Sequence, residues 1–268
     1  MPVDPALPRK VLVVHGVQTG TDADLHQEQL VDVLIRNRLN GLPVEFSCEL
    51  YSYENVNDAA QKKFRTLLKL FTTALAGQQL LSSVSDAAAD LVGDVVIALD
   101  DGSTAAKIRA GLRERILETF EEGNPLYVVA HSLGTIYALD VVNGLMKEDG
   151  FFDRESRKTW PVQALITMGS PVGLSLFKRS KVTQLGAGRR FFRWANYWAR
   201  TDPVVSGSFY GKPQQGYHIA SRFITSSEES GWFIQDRVVD IGKVWLLAHS
   251  GYWDHAPIGD DLARLITS

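Results

Sequence analysis

A chain of 268 residues has room for one large α/β domain or two small ones, and 45% hydrophobic with 22% charged residues is ordinary for a globular protein in water. A formal net charge of −3 argues against a general nucleic-acid binder, and the single cysteine, Cys48, rules out an internal disulfide and points to a reducing compartment. The start Met1-Pro2-Val3-Asp4-Pro5 has no basic or apolar signal region, and no apolar run approaches the ~20 residues that cross a bilayer, so a cytoplasmic protein without a transmembrane segment is expected.

Along the chain, apolar runs of strand length alternate with stretches of helical period, the pattern of a mostly parallel sheet with crossover helices. Val11-Leu12-Val13-Val14-His15 reads as a buried strand ending at Gly16. From Asp24 to Leu39, Leu25, Leu30, Val33, Leu34 and Leu39 fall on helical spacing, and Gly41 and Pro43 stop the helix. Val44 to Tyr53 is a second strand, and residues 55–120 are mostly helical. Tyr127-Val128-Val129-Ala130 is a third strand, Ala164 to Met168 a fourth, Phe192 to Trp198 a fifth and Arg237 to Ile241 a last short one, with Ile258 to Ile266 a closing helix. No repeat or long linker divides the chain, so one domain spanning 1–268 is expected, with a helical insertion at about 55–105.

The most informative segment is Ala130-His131-Ser132-Leu133-Gly134, where a buried strand runs into a serine and then into the helical pattern Ile136-Tyr137-Ala138-Leu139. A serine on so tight a turn adopts a strained backbone, which demands small residues two positions to either side; Ala130 and Gly134 meet that demand. The following helix aims its N-terminal N–H groups at the place where an oxyanion would form.

A serine hydroxyl attacks only when a base takes its proton, and the base needs a carboxylate to hold its tautomer. Both should follow strand ends, because ligand crevices in open α/β sheets lie at the carboxyl ends of the strands. Asp202, after the fifth strand and before Pro203, fits the acid; a plain turn aspartate is the simpler reading of Thr-Asp-Pro taken alone, and Asp236 and Asp240 are alternatives. His249, expected in a loop after the final strand, ranks ahead of His255, which sits just before Pro257 at a helix start. Two backbone donors are expected for the oxyanion, Leu133 N–H after the nucleophile and Val17 N–H after Gly16.

Taken together, His15-Gly16 after an apolar strand, Ala130-His131-Ser132-Leu133-Gly134, Met168-Gly169-Ser170-Pro171 and His249-Ser250-Gly251-Tyr252-Trp253 resemble the α/β-hydrolase superfamily, and within it the lipase-like serine esterases. The likeness runs from about residue 10 to the end; alanine at position 130 departs from the commoner G-x-S-x-G. The resemblance implies hydrolysis of a carboxylic ester, of lipid-like type, through an acyl-enzyme. A thioesterase or acyltransferase would use the same residues, and a non-catalytic binding protein on this fold is the alternative from another class.

Other features carry less. His15 and His131 read as structural residues beside the motif, and His26 and His218 as surface or packing residues. No H-E-x-x-H, C-x-x-C or Asp-rich calcium loop appears, so neither a metal nor a cofactor is expected, and no P-loop or complete dinucleotide glycine motif is present. An apolar helical stripe from Phe64 to Leu81 is read as packing on the sheet or as a lid. From Ser156 to Arg200 there are nine basic residues and no acidic one, among them Lys178, Arg179, Lys181, Arg189, Arg190 and Arg193; this is a solvated loop or a patch for anionic groups such as a membrane surface.

Overall fold

A computed structural model of the chain describes residues 3–16, 29–41, 44–53, 103–148, 160, 162–173, 192–206, 232–243 and 246–268. The expected insertion up to residue 102, the stripe from Phe64 to Leu81, Val17, His26, His218 and most of the basic stretch lie outside these residues.

Six strands, β1 (Arg9–Val14), β2 (Phe46–Tyr51), β3 (Leu126–His131), β4 (Val162–Met168), β5 (Phe192–Trp198) and β6 (Trp232–Val238), form one sheet in the order β2-β1-β3-β4-β5-β6. Every neighbouring pair is parallel. Helical segments accompany them: α1, a π-turn Asp32–Arg36 running into Asn37–Leu39, then α2 (Ser103–Glu122), α3 (Gly134–Leu145), α4 (Pro203–Ser206), α5 (Leu246–Ser250) and α6 (Ala256–Thr267).

A parallel strand covered on both faces reads as a continuous apolar run, and β3 does so: all six of its residues are buried. Its alternate side chains enter two cores. Leu126, Val128 and Ala130 join Ile108, Leu112 and Ile116 of α2 and Tyr137 and Val141 of α3. Tyr127 and Val129 join Leu34 and Ile35 of α1 and Ile258, Leu262 and Ile266 of α6. Those three α6 residues are spaced at i, i+4 and i+8 and are at most 1% exposed; burying each stabilises the fold by about 1.5–3 kcal/mol.

The last strand begins earlier than its sequence suggests, at Trp232 in place of Arg237. Gln235 and Asp236, ahead of the expected start, are polar, but among the described residues β6 has a strand neighbour only in β5, and its polar side chains are satisfied sideways. Asn196 Nδ2 donates to Asp236 Oδ1 at 3.0 Å, and Arg237 pairs with Asp261 of α6. The closing helix also runs longer than expected, with Pro257 in its first turn.

The order of strands turns at β1, whose sequence successors lie on opposite sides of it, β2 on one and β3 on the other. The chain leaving the carboxyl ends of β1 and β3 therefore diverges there, and that point is where open α/β sheets place a crevice.

Candidate active site

Ser132 follows β3 directly and is the one non-glycine among the described residues with positive φ, at 55°. The strain is held by local bonds. Ser132 N–H donates to Met168 O of β4 at 3.0 Å, while Thr135 donates to Ser132 O from both its N–H (3.0 Å) and its hydroxyl (2.6 Å). Because the Thr135 hydroxyl proton is spent there, Ser170 Oγ–H donates to Thr135 Oγ1 at 2.7 Å. The turn also needs space. A Cβ on Gly16 would lie 2.5 Å from Ser132 Cβ, and one on Gly134 would lie 2.5 Å from Val14 O. Ala130, at the other small position, is fully buried in β3, and Leu133 stands at the N-cap of α3.

His249 lies 117 positions beyond Ser132 in the chain, yet its Nε2 is 2.8 Å from Ser132 Oγ. Its Nδ1 is 2.9 Å from Asp202 Oδ2. A carboxylate only accepts, so Nδ1 carries the proton and Nε2 is left to accept from the serine hydroxyl. All three side chains are buried, Asp202 completely. Asp202 sits in the turn between β5 and α4, where its Oδ1 accepts the N–H of Val204 at 2.9 Å, an Asx-type turn. The turn role and the contact with the histidine thus use different oxygens of one carboxylate. His249 lies on the short helix α5, not in a loop.

The competing residues are elsewhere. His255 is the N-cap residue of α6, its Nε2 donating to Asp240 O at 3.1 Å. Asp236 accepts from Asn196 within the sheet, and Asp240 Oδ1 accepts the N–H of Gly242. Neither aspartate is bonded to His249.

Behind the serine and its histidine lies an aromatic packet. His131 Nε2–H donates to the backbone carbonyl of His249 at 2.8 Å, and the two rings are 4.7 Å apart. Burial, with His249 and His15 alongside, holds the His131 pKa well below its ordinary value, so this ring is neutral. His15 stacks on Trp253 at 5.0 Å with 7° between the planes, and its Nδ1–H donates to Gly16 O at 3.0 Å. Among the described residues no group of three or more His, Cys, Asp or Glu side chains is arranged to hold a metal ion, and no helix is long and apolar enough to cross a membrane.

Two residues near the acid carry more than their sequence reading assigned them. Tyr252 OH donates to Asp202 Oδ2 at 2.8 Å and accepts the N–H of Ala199 at 2.9 Å. Gly169, at the end of β4, has φ 57°, and a Cβ there would meet Tyr252 Cε2 at 2.8 Å, His249 Nδ1 at 3.0 Å and Asp202 Oδ2 at 3.1 Å. The signal for Gly169 is a glycine directly after a buried strand on the same side of the sheet as the serine. Tyr252 gives no such signal, because its hydroxyl meets the acid only through folding.

The strained serine thus stands between β3 and the helix after it, at the carboxyl end of a parallel sheet flanked by helices, an α/β fold. No protein-family model and no curated protein matches the sequence. Among solved structures, an uncharacterized protein from Bacillus cereus ATCC 10987 is 11% identical at TM-score 0.44, over 99% of this chain and 62% of that one, so this chain spans less than two thirds of that length. Est1E from Butyrivibrio proteoclasticus is 11% identical at TM-score 0.39, over 99% of this chain and 91% of that one.

Proposed function

We propose that this protein is a serine hydrolase that cleaves carboxylic esters through an acyl-enzyme. The observation that carries the reading is the continuous line of hydrogen bonds from Ser132 Oγ through His249 to Asp202, centred on a strained serine. Ser132 Oγ attacks the ester carbonyl as His249 Nε2 takes its proton, and Asp202 steadies the imidazolium that forms. His249 then returns that proton to the departing alkoxide, leaving an acyl group on Ser132. Water, deprotonated by the same nitrogen, adds to the acyl carbonyl and releases the acid. Leu133 N–H, at the start of α3, is the donor assigned to the developing oxyanion.

The test joins labelling to turnover. A fluorophosphonate should modify Ser132, and Ser132→Ala should lose labelling and at least ~10³-fold in the hydrolysis of p-nitrophenyl esters while folding normally. His249→Ala should lose both as well, whereas His255→Ala should keep both. Hydrolysis retained by Ser132→Ala would overturn the proposal. A panel of acyl lengths from acetate to palmitate tests the lipid-like substrate; a rate that peaks at the shortest esters would reject it.

A further inference from the structure

Asp202 receives more donors than holding one imidazole requires. Its Oδ1 takes the Val204 N–H, and its Oδ2 takes both the His249 Nδ1–H and the Tyr252 hydroxyl. Tyr252 is fully buried, and its oxygen is itself fixed by the Ala199 N–H arriving from the end of β5. Gly169 leaves the space this arrangement fills, since any Cβ would strike Tyr252, His249 and Asp202 together. The tyrosine and the histidine therefore both bond one oxygen of a fully buried carboxylate.

We infer that Tyr252 is a positioning residue that sets how strongly Asp202 holds the proton of His249, and so the pH at which the serine becomes reactive. This inference rests on the proposed hydrolase reading. The hydroxyl draws negative charge from Oδ2, and the imidazolium facing that oxygen is stabilised less than a carboxylate without this bond would allow. It also stops the carboxylate from rotating away from Nδ1. The other titratable and charged groups around His249 among the described residues do not supply this control. His131 and, behind it, His15 come from the ends of β3 and β1; His131 is neutral and spends its Nε2–H on the His249 carbonyl. Lys243, before α5, is paired with Asp254 at 2.7 Å.

The experiment compares Tyr252→Phe with Tyr197→Phe in the full chain. Tyr197 is another buried tyrosine whose hydroxyl donates to a carboxylate, Asp261 of α6, at 3.0 Å, so the control removes the same kind of bond without touching Asp202. In Tyr252→Phe the acid limb of the kcat/KM profile for an activated ester should move to higher pH by about half a unit, a ~3-fold loss on that limb, with KM little changed. Tyr197→Phe should leave the limb in place. Placing 3-fluorotyrosine at 252 keeps the ring and strengthens the donor, so the limb should move to lower pH; this arm stands if the phenylalanine variant does not fold. An unmoved limb in both 252 variants, or an equal shift in the control, would overturn the inference.

Proton NMR titration of the His249 ring in a Ser132→Ala background reads the same shift without turnover. A shift there, in a protein whose parent hydrolyses no ester, would reject the hydrolase reading and keep the role of Tyr252. Ester hydrolysis with no shift would do the reverse.

Discussion

Ser132 holds a backbone conformation that costs about 1–3 kcal/mol, and it persists because β4, Thr135 and Gly16 leave the turn no cheaper arrangement. His131, its neighbour, carries a second cost that pH exposes. The ring is buried and its pKa is lowered, chiefly by desolvation. In the unfolded chain the same ring takes up a proton below about pH 6.5, so in that window the unfolded state binds more protons than the folded one. Its contribution is therefore fully present above about pH 6.5, declines by up to about 1.4 kcal/mol per pH unit as the pH falls, and levels off below the folded-state pKa. Urea unfolding from pH 7.5 to 5 should show this slope, and His131→Gln, which keeps an amide donor for the His249 carbonyl, should flatten it by up to one proton. An equal slope in the variant would assign the effect to other groups. Ala130, Ser132 and Gly134 were legible from residue types alone because a tight strand-to-helix turn constrains its immediate neighbours. The hydroxyl of Tyr252 was not, since nothing local distinguishes it from a core tyrosine.

Elements with one strong period were read well from the sequence, and those stabilised from the side were read poorly. The apolar stripe of α6 predicts its burial, and Leu262→Ala should lower stability by about 2–5 kcal/mol in urea unfolding. A loss below ~1 kcal/mol would mean that the helix collapses into the space or packs loosely. The early part of β6 was missed because Gln235 and Asp236 break the apolar run; Asp236 finds its partner in Asn196 on β5, a residue distant in sequence. One polar ladder, Trp194 to Thr167 to Asn196 to Asp236, links β4, β5 and β6 through bonds of 2.8–3.0 Å, so polar residues here serve the sheet. His249 was expected in a loop and occupies α5; a five-residue helix is too short to leave a periodic pattern.

Across the whole molecule, Ser132, Asp202 and His249 come from three separate places: the turn after β3, the turn after β5 and a short helix beyond β6. Their alignment needs the sheet from β3 to β6 intact. On the proposed reading, fluorophosphonate labelling of Ser132 should therefore vanish at the same urea concentration as tryptophan fluorescence reports unfolding, within about 0.3 M. Labelling lost at clearly lower urea would show that the site opens before the sheet does. The alternation of strands and helices and the strained turn at Ser132 were set by residue types alone, because buried strands and tight turns impose them locally. Folding alone brought His249 and not His255 to the serine, Asp202 to that histidine, and Tyr252 to the same carboxylate oxygen. Those choices depend on where separate strand ends converge, and convergence is set by packing between residues far apart in the chain.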